Sequence, residues 1–286
     1  MPDQSSQSSI QRTINWVILG VALAGRLGLS LLLQLNPRMK EPWDLRLMSL
    51  TLILVSFFII INYRDLKHYK FSKLSVWMIL VFKLLSMATI VLSSPNRPLV
   101  KLFEPLELLA VAALLGVALS LRDWLFSQPL ADPKEWKWLG IAVLGGLLVV
   151  ALSAYPQALQ IRGMVPDFNR PSWSNLLLAL IALPFQIGYA GVFEDPIFRG
   201  ILWGKLRQSR WGNLIILLFQ TFLFSLAHIH YLPHQAYAFW VTVPLGGLML
   251  GAVAWGSGSL AAPMLAHGII NNLIGFAAYA AYFWFL

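Results

Sequence analysis

Residues 176–206, LLLALIALPFQIGYAGVFEDPIFRGILWGKL, are the most informative segment for the fold, because charged residues lie inside an apolar run. A helix needs only about 20 apolar residues to cross a bilayer, so this run is too long for one plain span and is expected to kink or break near Pro184 and Gly188. Glu194, Asp195 and Arg199 lie within it. A charge at membrane depth costs at least about 2.5–3.5 kcal/mol, so such residues usually form pairs or carry function.

The rest of the chain has the composition of a membrane protein. Of its 286 residues, 58% are hydrophobic and 12% are charged, and the mean hydropathy is +0.69. We therefore predict an all-α, polytopic transmembrane helical bundle of about eight or nine membrane helices. The apolar runs cover residues 14–35, 47–62, 74–93, 106–121, 138–155, 176–206, 214–232, 236–255 and 260–286.

The net charge of +9 comes from basic residues that lie mainly between the apolar runs. This placement indicates contact with anionic lipid and argues against nucleic-acid binding. The loops on the N-terminal side carry more Lys and Arg than the opposite loops, which predicts a cytoplasmic N-terminus. We expect an integral multi-pass protein of the bacterial cytoplasmic membrane or another internal membrane. The absence of cysteine excludes disulfides and thiolate ligands.

Three regions differ in character. Residues 1–13 are polar and are predicted to form a disordered tail. Residues 14–171 form a predicted transmembrane region of unknown role, in which charges are scattered mainly between Leu-rich runs. Residues 172–286 are predicted to form the catalytic-type membrane core, because acids, histidines and amides occur inside their apolar runs.

The first polar group of this core lies around Glu194. Asp195 and Arg199 are four residues apart and share a helix face, so the spacing predicts an ion pair. Glu194 points about 100° away from that face. In the next run His228 follows Phe224 by four residues.

Two further histidines, one inside the end of the seventh run and one just after it, receive a different interpretation. His228 and His230 would point about 200° apart on a regular helix, so they could not face one site together. We expect a packing or interfacial role for His230 and for His234. In the last run His267 and Asn271 are one turn apart and can reach one partner.

A depth argument links these segments. Helix rise places Glu194 about 16 Å from Lys205 and His228 about 22 Å from Asn213, both on the basic side. His267 lies about 12 Å from Ser259, taken to be on the opposite side, and therefore about 18 Å from the basic side of a 30 Å core. The three levels agree closely enough to predict one shared site within the membrane.

Glutamate, two histidines and asparagine form a set suited to hydrolysis. The carboxylate can take a proton from water, while imidazole and amide groups orient the water or bind an oxyanion. If a metal is present, Glu194, His228 and His267 would be its ligands, with Zn²⁺ as the candidate cofactor. No HExxH motif supports that alternative, and no GxSxG motif supports a serine nucleophile. The residues leave the cofactor unknown, with no cofactor or zinc as the two alternatives.

The order Glu-Asp-x-x-x-Arg, Phe-x-x-x-His and His-x-x-x-Asn resembles the signature of the CPBP family. That family includes the CAAX prenyl endopeptidases and the bacteriocin-processing, Abi-like membrane proteins. The resemblance covers roughly residues 172–286. It implies that Glu194 and His228 activate water and that His267 and Asn271 stabilise the oxyanion. The usual motif has two adjacent glutamates, whereas this chain has Asp195 in the second place.

The resemblance predicts an intramembrane endopeptidase in which water activated by glutamate cleaves a membrane-associated peptide. Asp195, Arg199 and Phe224 would support the catalytic residues. The alternative is a non-catalytic membrane helper that binds another membrane protein or a hydrophobic ligand, with the polar cluster serving only stability. A transporter with Glu194 as a proton relay ranks third.

Overall fold

The computed structural model describes residues 8–35, 40–92, 105–161 and 171–285, and within these ranges every regular element is a helix. This confirms the all-α prediction. Ten α-helices are numbered here in chain order: α1 (Ser9–Leu35), α2 (Lys40–Ile61), α3 (Lys73–Leu92), α4 (Pro105–Ser120), α5 (Arg122–Phe126), α6 (Pro133–Ile161), α7 (Trp173–Gln208), α8 (Asn213–Leu226), α9 (Ala238–Ser257) and α10 (Ala261–Phe285).

Five of these helices, α1, α6, α7, α9 and α10, are long and apolar enough to cross a membrane. Shorter apolar helices cover Arg46–Ile61, Pro105–Ser120 and Asn213–Leu226. The protein is therefore an integral membrane protein in contact with the lipid bilayer. A total of eight or nine membrane helices stays a prediction.

The start of α1 corrects part of the predicted tail. Helix α1 begins at Ser9, so residues 9–13 are helical, while residues 1–7 lie outside the described residues. The Ser8 hydroxyl accepts a hydrogen bond of 3.2 Å from the backbone N–H of Gln11. Serine at this position satisfies one of the free N–H groups of the first turn, so the helix starts before the apolar run does.

The bundle has two main apolar clusters, and the polar residues of interest lie between them. The larger cluster joins α1–α5 to α7 and α8, and its buried members include Leu52, Phe58 and Phe198. The smaller one joins α6, α9 and α10 through residues such as Val149 and Leu250. Helix α7 borders the first cluster and α10 borders both, so their polar side chains meet at the junction.

Helix α7 continues through its whole length without the predicted break. It contains two π-helical turns, Ile187–Gly191 and Pro196–Leu202, on either side of Val192–Asp195. A Cβ at Gly188 would lie 2.2 Å from the Phe82 carbonyl oxygen. Glycine therefore lets α7 approach α3 closely, and the widened turns set the direction of the acidic pair.

One end of the bundle carries a buried polar junction that corrects the depth argument. The backbone N–H of Leu260 donates to the Lys70 carbonyl at 2.9 Å, and the Ser72 and Ser259 hydroxyl oxygens are 2.9 Å apart. The Glu135 carboxylate accepts hydrogen bonds from both serines. Ser259 thus lies at the same end as the basic segment of residues 62–73, so its assignment to the opposite side is wrong.

Candidate active site

Three side chains from separate segments meet beside α7. Glu194 Oε2 lies 3.8 Å from Nε2 of His228 and 3.7 Å from Nε2 of His267. All three residues are buried, with 4%, 7% and 4% of their surface exposed. The structure therefore brings Glu194, His228 and His267 together around one carboxylate oxygen.

Asn271 lies at the edge of this group. It is exposed, one turn beyond His267 on α10, and it lines both cavities that border the histidines. The next residue, Asn272, donates instead to the Ala179 carbonyl of α7. Asn271 is thus available to a bound molecule, whereas Asn272 joins two helices.

The position of His228 depends on the end of α8. That helix ends at Leu226, and His228 has φ −113° and ψ 15°, outside helical geometry. Its Nδ1 lies 2.8 Å from the Phe224 carbonyl oxygen. A carbonyl only accepts, so Nδ1 carries the hydrogen and Nε2 of the neutral ring presents a lone pair to the site.

His230 packs against the ring of Tyr231, with centroids 4.4 Å apart, which agrees with the packing role expected for it, and it also lines the cavity beside Glu194. The rings of His228 and His230 are stacked with centroids 6.0 Å apart. The 200° separation assumed a regular helix, but the chain forms a 3₁₀ turn over Ile229–Tyr231. His234 is exposed beyond this turn, and the structure places it outside the residues that line either cavity.

Asp195 and Arg199 form the pair that their spacing predicts. Asp195 Oδ1 lies 3.1 Å from a guanidinium nitrogen of Arg199, and both side chains have no exposed surface. The other oxygen, Oδ2, lies 3.5 Å from Nδ1 of His267. Asp195 therefore contacts the opposite side of the imidazole whose Nε2 faces Glu194.

Phe224 packs against these groups from α8. Its ring centroid is 4.6 Å from that of His228 and 5.8 Å from that of His267. The guanidinium carbon of Arg199 lies 4.1 Å from the same ring centroid, within the range of a cation–π contact. This single ring limits the movement of three of the predicted site residues.

Arg26 was not among the predicted site residues. It projects from α1, and its guanidinium forms a buried ion pair with Oε1 of Glu194. The sequence contained one signal, an arginine inside an apolar run, which indicates a buried partner. No local sequence pattern identifies that partner, because Glu194 follows 168 residues later.

Two cavities border the cluster. One of about 140 Å³ is lined by polar groups that include Arg26, Glu194 and His230. The other, of about 250 Å³, has more apolar walls, with Phe224 and Leu250 among them. Both are lined by His228, Tyr231 and Asn271, so a molecule filling both would pass the histidines.

The ligand set proposed for zinc does not have the geometry of a metal site. Among the described residues, no group of three or more His, Cys, Asp or Glu side chains is arranged to hold a metal ion. Arg26 also occupies one oxygen of Glu194, and its positive charge would repel a cation there. The residues present therefore fit a water molecule better than a metal ion.

Comparison with known proteins places a family on this part of the chain. Residues 172–273 match the family model described as type II CAAX prenyl endopeptidase, Rce1-like. No curated protein and no solved structure matched the chain. The matched range includes all four predicted catalytic residues and ends shortly after Asn271. Over residues 172–273 the chain is thus similar to the Rce1-like type II CAAX prenyl endopeptidases, the group to which its three ordered motifs pointed.

Proposed function

We propose that this protein is an intramembrane endopeptidase of CAAX type that cleaves a membrane-associated peptide with water activated by Glu194. One observation carries the proposal: Glu194 Oε2 faces Nε2 of both His228 and His267 next to a cavity. Oε2 is buried without a hydrogen-bond partner among the described residues, and it lies 3.8 Å from Nε2 of His228, so one water molecule hydrogen-bonded to both atoms would be the nucleophile.

In the first step this water donates one hydrogen to Glu194 and the other to His228. Glu194 takes the proton as the water oxygen forms a bond to the carbonyl carbon of the scissile peptide. The negative charge then passes to the former carbonyl oxygen. His267, as an imidazolium whose Nδ1–H is directed at Asp195, donates its Nε2–H to that oxygen, and the amide of Asn271 donates a second hydrogen bond.

In the second step the tetrahedral intermediate collapses. Glu194 returns its proton to the leaving nitrogen, the C–N bond breaks, and a carboxylic acid and an amine are released. Asp195 holds His267 from its far side through the 3.5 Å contact, and Arg199 balances the charge of Asp195. Aspartate is one methylene shorter than the usual second glutamate, and its role here is to orient the imidazole.

The cavities support a substrate that is extended and partly apolar. The larger cavity is lined by Ile270 and Ile274 of α10 as well as by polar groups, and the smaller one adjoins Glu194. A peptide segment whose scissile bond lies near His228 would place side chains in both. The bilayer around the helices would supply such a segment from a membrane-associated protein.

A second candidate function has one observation in its favour. The two carboxylates, Glu194 and Asp195, are balanced by the guanidiniums of Arg26 and Arg199. A balanced cluster of this kind would also suit a non-catalytic helper that binds a membrane protein and uses the cluster for stability.

The test compares cells that lack the protein with cells complemented by the wild type or by Glu194→Gln at equal membrane abundance. Mass spectrometry of membrane peptides should detect cleavage products only with the wild type. Loss of a general base alone lowers rates by about 10²- to 10⁴-fold. Glu107→Gln, the same change in α4, serves as the control. Equal products from the Glu194→Gln cells would exclude the protease mechanism and favour the helper.

A further inference from the structure

One face of α1 is directed at the proposed active site. Arg26, Ser30 and Gln34 are spaced four residues apart, so they lie along one side of the helix. Arg26 pairs with Glu194, Ser30 donates to the carbonyl of Ala227, and Gln34 donates to the carbonyl of Ile229 at 2.7 Å. These two carbonyls stand on either side of His228. This side of α1 therefore contacts both Glu194, the proposed base, and the turn that carries His228.

The other end of α1 is held by a separate set of amides. Asn15 and Asn62 form two hydrogen bonds of 2.9 Å, one in each direction. Gln11 donates to the Ile61 carbonyl at 2.7 Å and to the Asn62 side chain at 3.0 Å. These bonds to the end of α2 fix the position of α1 along its own axis. They therefore also fix the level at which Arg26 meets Glu194.

We propose that α1 is an integral part of the active site, with Arg26 as a positioning residue for Glu194 and with Ser30 and Gln34 as positioning residues for His228. This inference rests on the proposed function and adds a component to it from outside residues 172–273. The N-terminal region, to which the sequence assigned no role, thus contributes directly to the reaction centre.

The contacts define how each residue acts. Arg26 engages Oε1 of Glu194 and thereby directs Oε2 toward the two imidazoles. The carbonyls of Ala227 and Ile229 lie where α8 ends, and a carbonyl at a helix end needs a donor when it is away from water. Ser30 supplies a donor to the Ala227 carbonyl. The Ile229 carbonyl already accepts from the backbone N–H of Leu232 at 3.0 Å, and Gln34 adds a second donor that ties the 3₁₀ turn to α1.

The placement of α1 can be tested without any activity. The chain contains no cysteine, so the double variant Ser30→Cys with Ala227→Cys has no background thiols. Oxidation with copper phenanthroline in native membranes should cross-link this pair. Leu32→Cys with Ala227→Cys is the matched control, because Leu32 is 51% exposed on the other side of α1. Equal cross-linking of both pairs, or of neither, would overturn the placement.

The positioning role is tested by kinetics on a peptide that the mass-spectrometry experiment shows to be cleaved by the wild type. Arg26→Gln should lower kcat by about 100-fold, the scale of a small misplacement of a catalytic group, with KM changed by less than about twofold. Arg26→Lys should recover part of that loss. A purely structural role would lower the yield of folded enzyme but leave kcat per folded molecule unchanged, and that result would overturn the proposal.

Thermal unfolding in detergent separates this inference from the proposed function. The double variant Arg26→Gln with Glu194→Gln should melt at a higher temperature than Glu194→Gln alone, because it leaves no unpaired buried guanidinium. If the wild type cleaves no peptide, but the double variant melts at the higher temperature and the cross-link forms, the proposed function fails and the placement of α1 stands. If the wild type cleaves a peptide, but the melting temperature does not rise and the cross-link does not form, the role of α1 is excluded.

Discussion

At the scale of single residues, the site consists of alternating charges. Arg26 contacts Glu194, Asp195 contacts Arg199, and His267 lies between the two carboxylates. Two acids and two arginines balance formally, so the protein buries four charged groups without a net charge. Such a set is costly to break at one member, because the remaining partner is then a buried unpaired charge.

The two acids should respond differently to neutral substitution. We expect Asp195→Asn to lower the free energy of unfolding by about 2–4 kcal/mol, since Arg199 is fully buried and would lose its charged partner. Glu194→Gln should cost less, because Arg26 lines a cavity that water can enter. Thermal melts of both variants in one detergent check the order, and the reverse order would contradict the assigned roles.

Lys70, in the segment between α2 and α3, predicts a dependence of stability on pH. Burial, together with the charge of Arg207, lowers its pKa from 10.5 to about 7. The unfolded chain keeps this proton up to about pH 10.5, so the unfolded state binds more protons between pH 7 and 10.5. The contribution of Lys70 to stability therefore rises with pH across this range.

Lys70→Met should remove that rise and stabilise the protein most at pH 7, with a smaller gain near pH 10. Lys67→Met, at an exposed lysine of the same segment, is the control and should leave the profile unchanged. Chemical denaturation in detergent at several pH values measures both. If the free energy of unfolding depends on pH in Lys70→Met as it does in the wild type, another group produces that dependence.

At the scale of helices, the close approach of α7 to α3 can be tested through glycine. Gly188→Ala would place a Cβ 2.2 Å from the Phe82 carbonyl oxygen, which is backbone and cannot move alone. We expect a loss of stability of about 1–3 kcal/mol from overpacking and a displacement of the acidic pair. Gly275→Ala in α10 meets no atom within 4 Å and should be neutral or slightly stabilising.

Local patterns were readable from the sequence, whereas contacts across the bundle were not. The pairing of Asp195 with Arg199 follows from helical spacing alone, and the structure contains it. The partner of Arg26 depends on how distant segments pack, which no short pattern encodes. The side on which Ser259 lies could have been obtained by counting, because the two apolar runs 214–232 and 236–255 separate it from Asn213 and return the chain to the basic side. The shared site was inferred from a depth argument with one wrong premise, so the convergence of His267 with Glu194 rests on packing between α7 and α10.

For the molecule as a whole, the polar junction of Ser72, Glu135 and Ser259 marks one end of the bundle. The excess of Lys and Arg in the loops on the N-terminal side predicts that this end faces the cytoplasm. Single cysteines at Arg64 and Arg210 should therefore be protected from an impermeant maleimide in intact cells. A cysteine at Ser174, at the start of α7, should react. The cysteine-free wild type gives the background, and labelling at Arg64 but not at Ser174 would invert the topology.

The pairing of Arg26 with Glu194 also has a consequence for biosynthesis. Helix α1 leaves the ribosome before α7, because the partner of Arg26 is made 168 residues later. At about 5–20 residues per second this interval is roughly 8–34 s, during which Arg26 has no counter-charge from Glu194. Membrane insertion of α1 must therefore tolerate an exposed guanidinium, by local water or lipid headgroups, until α7 arrives and completes the pair.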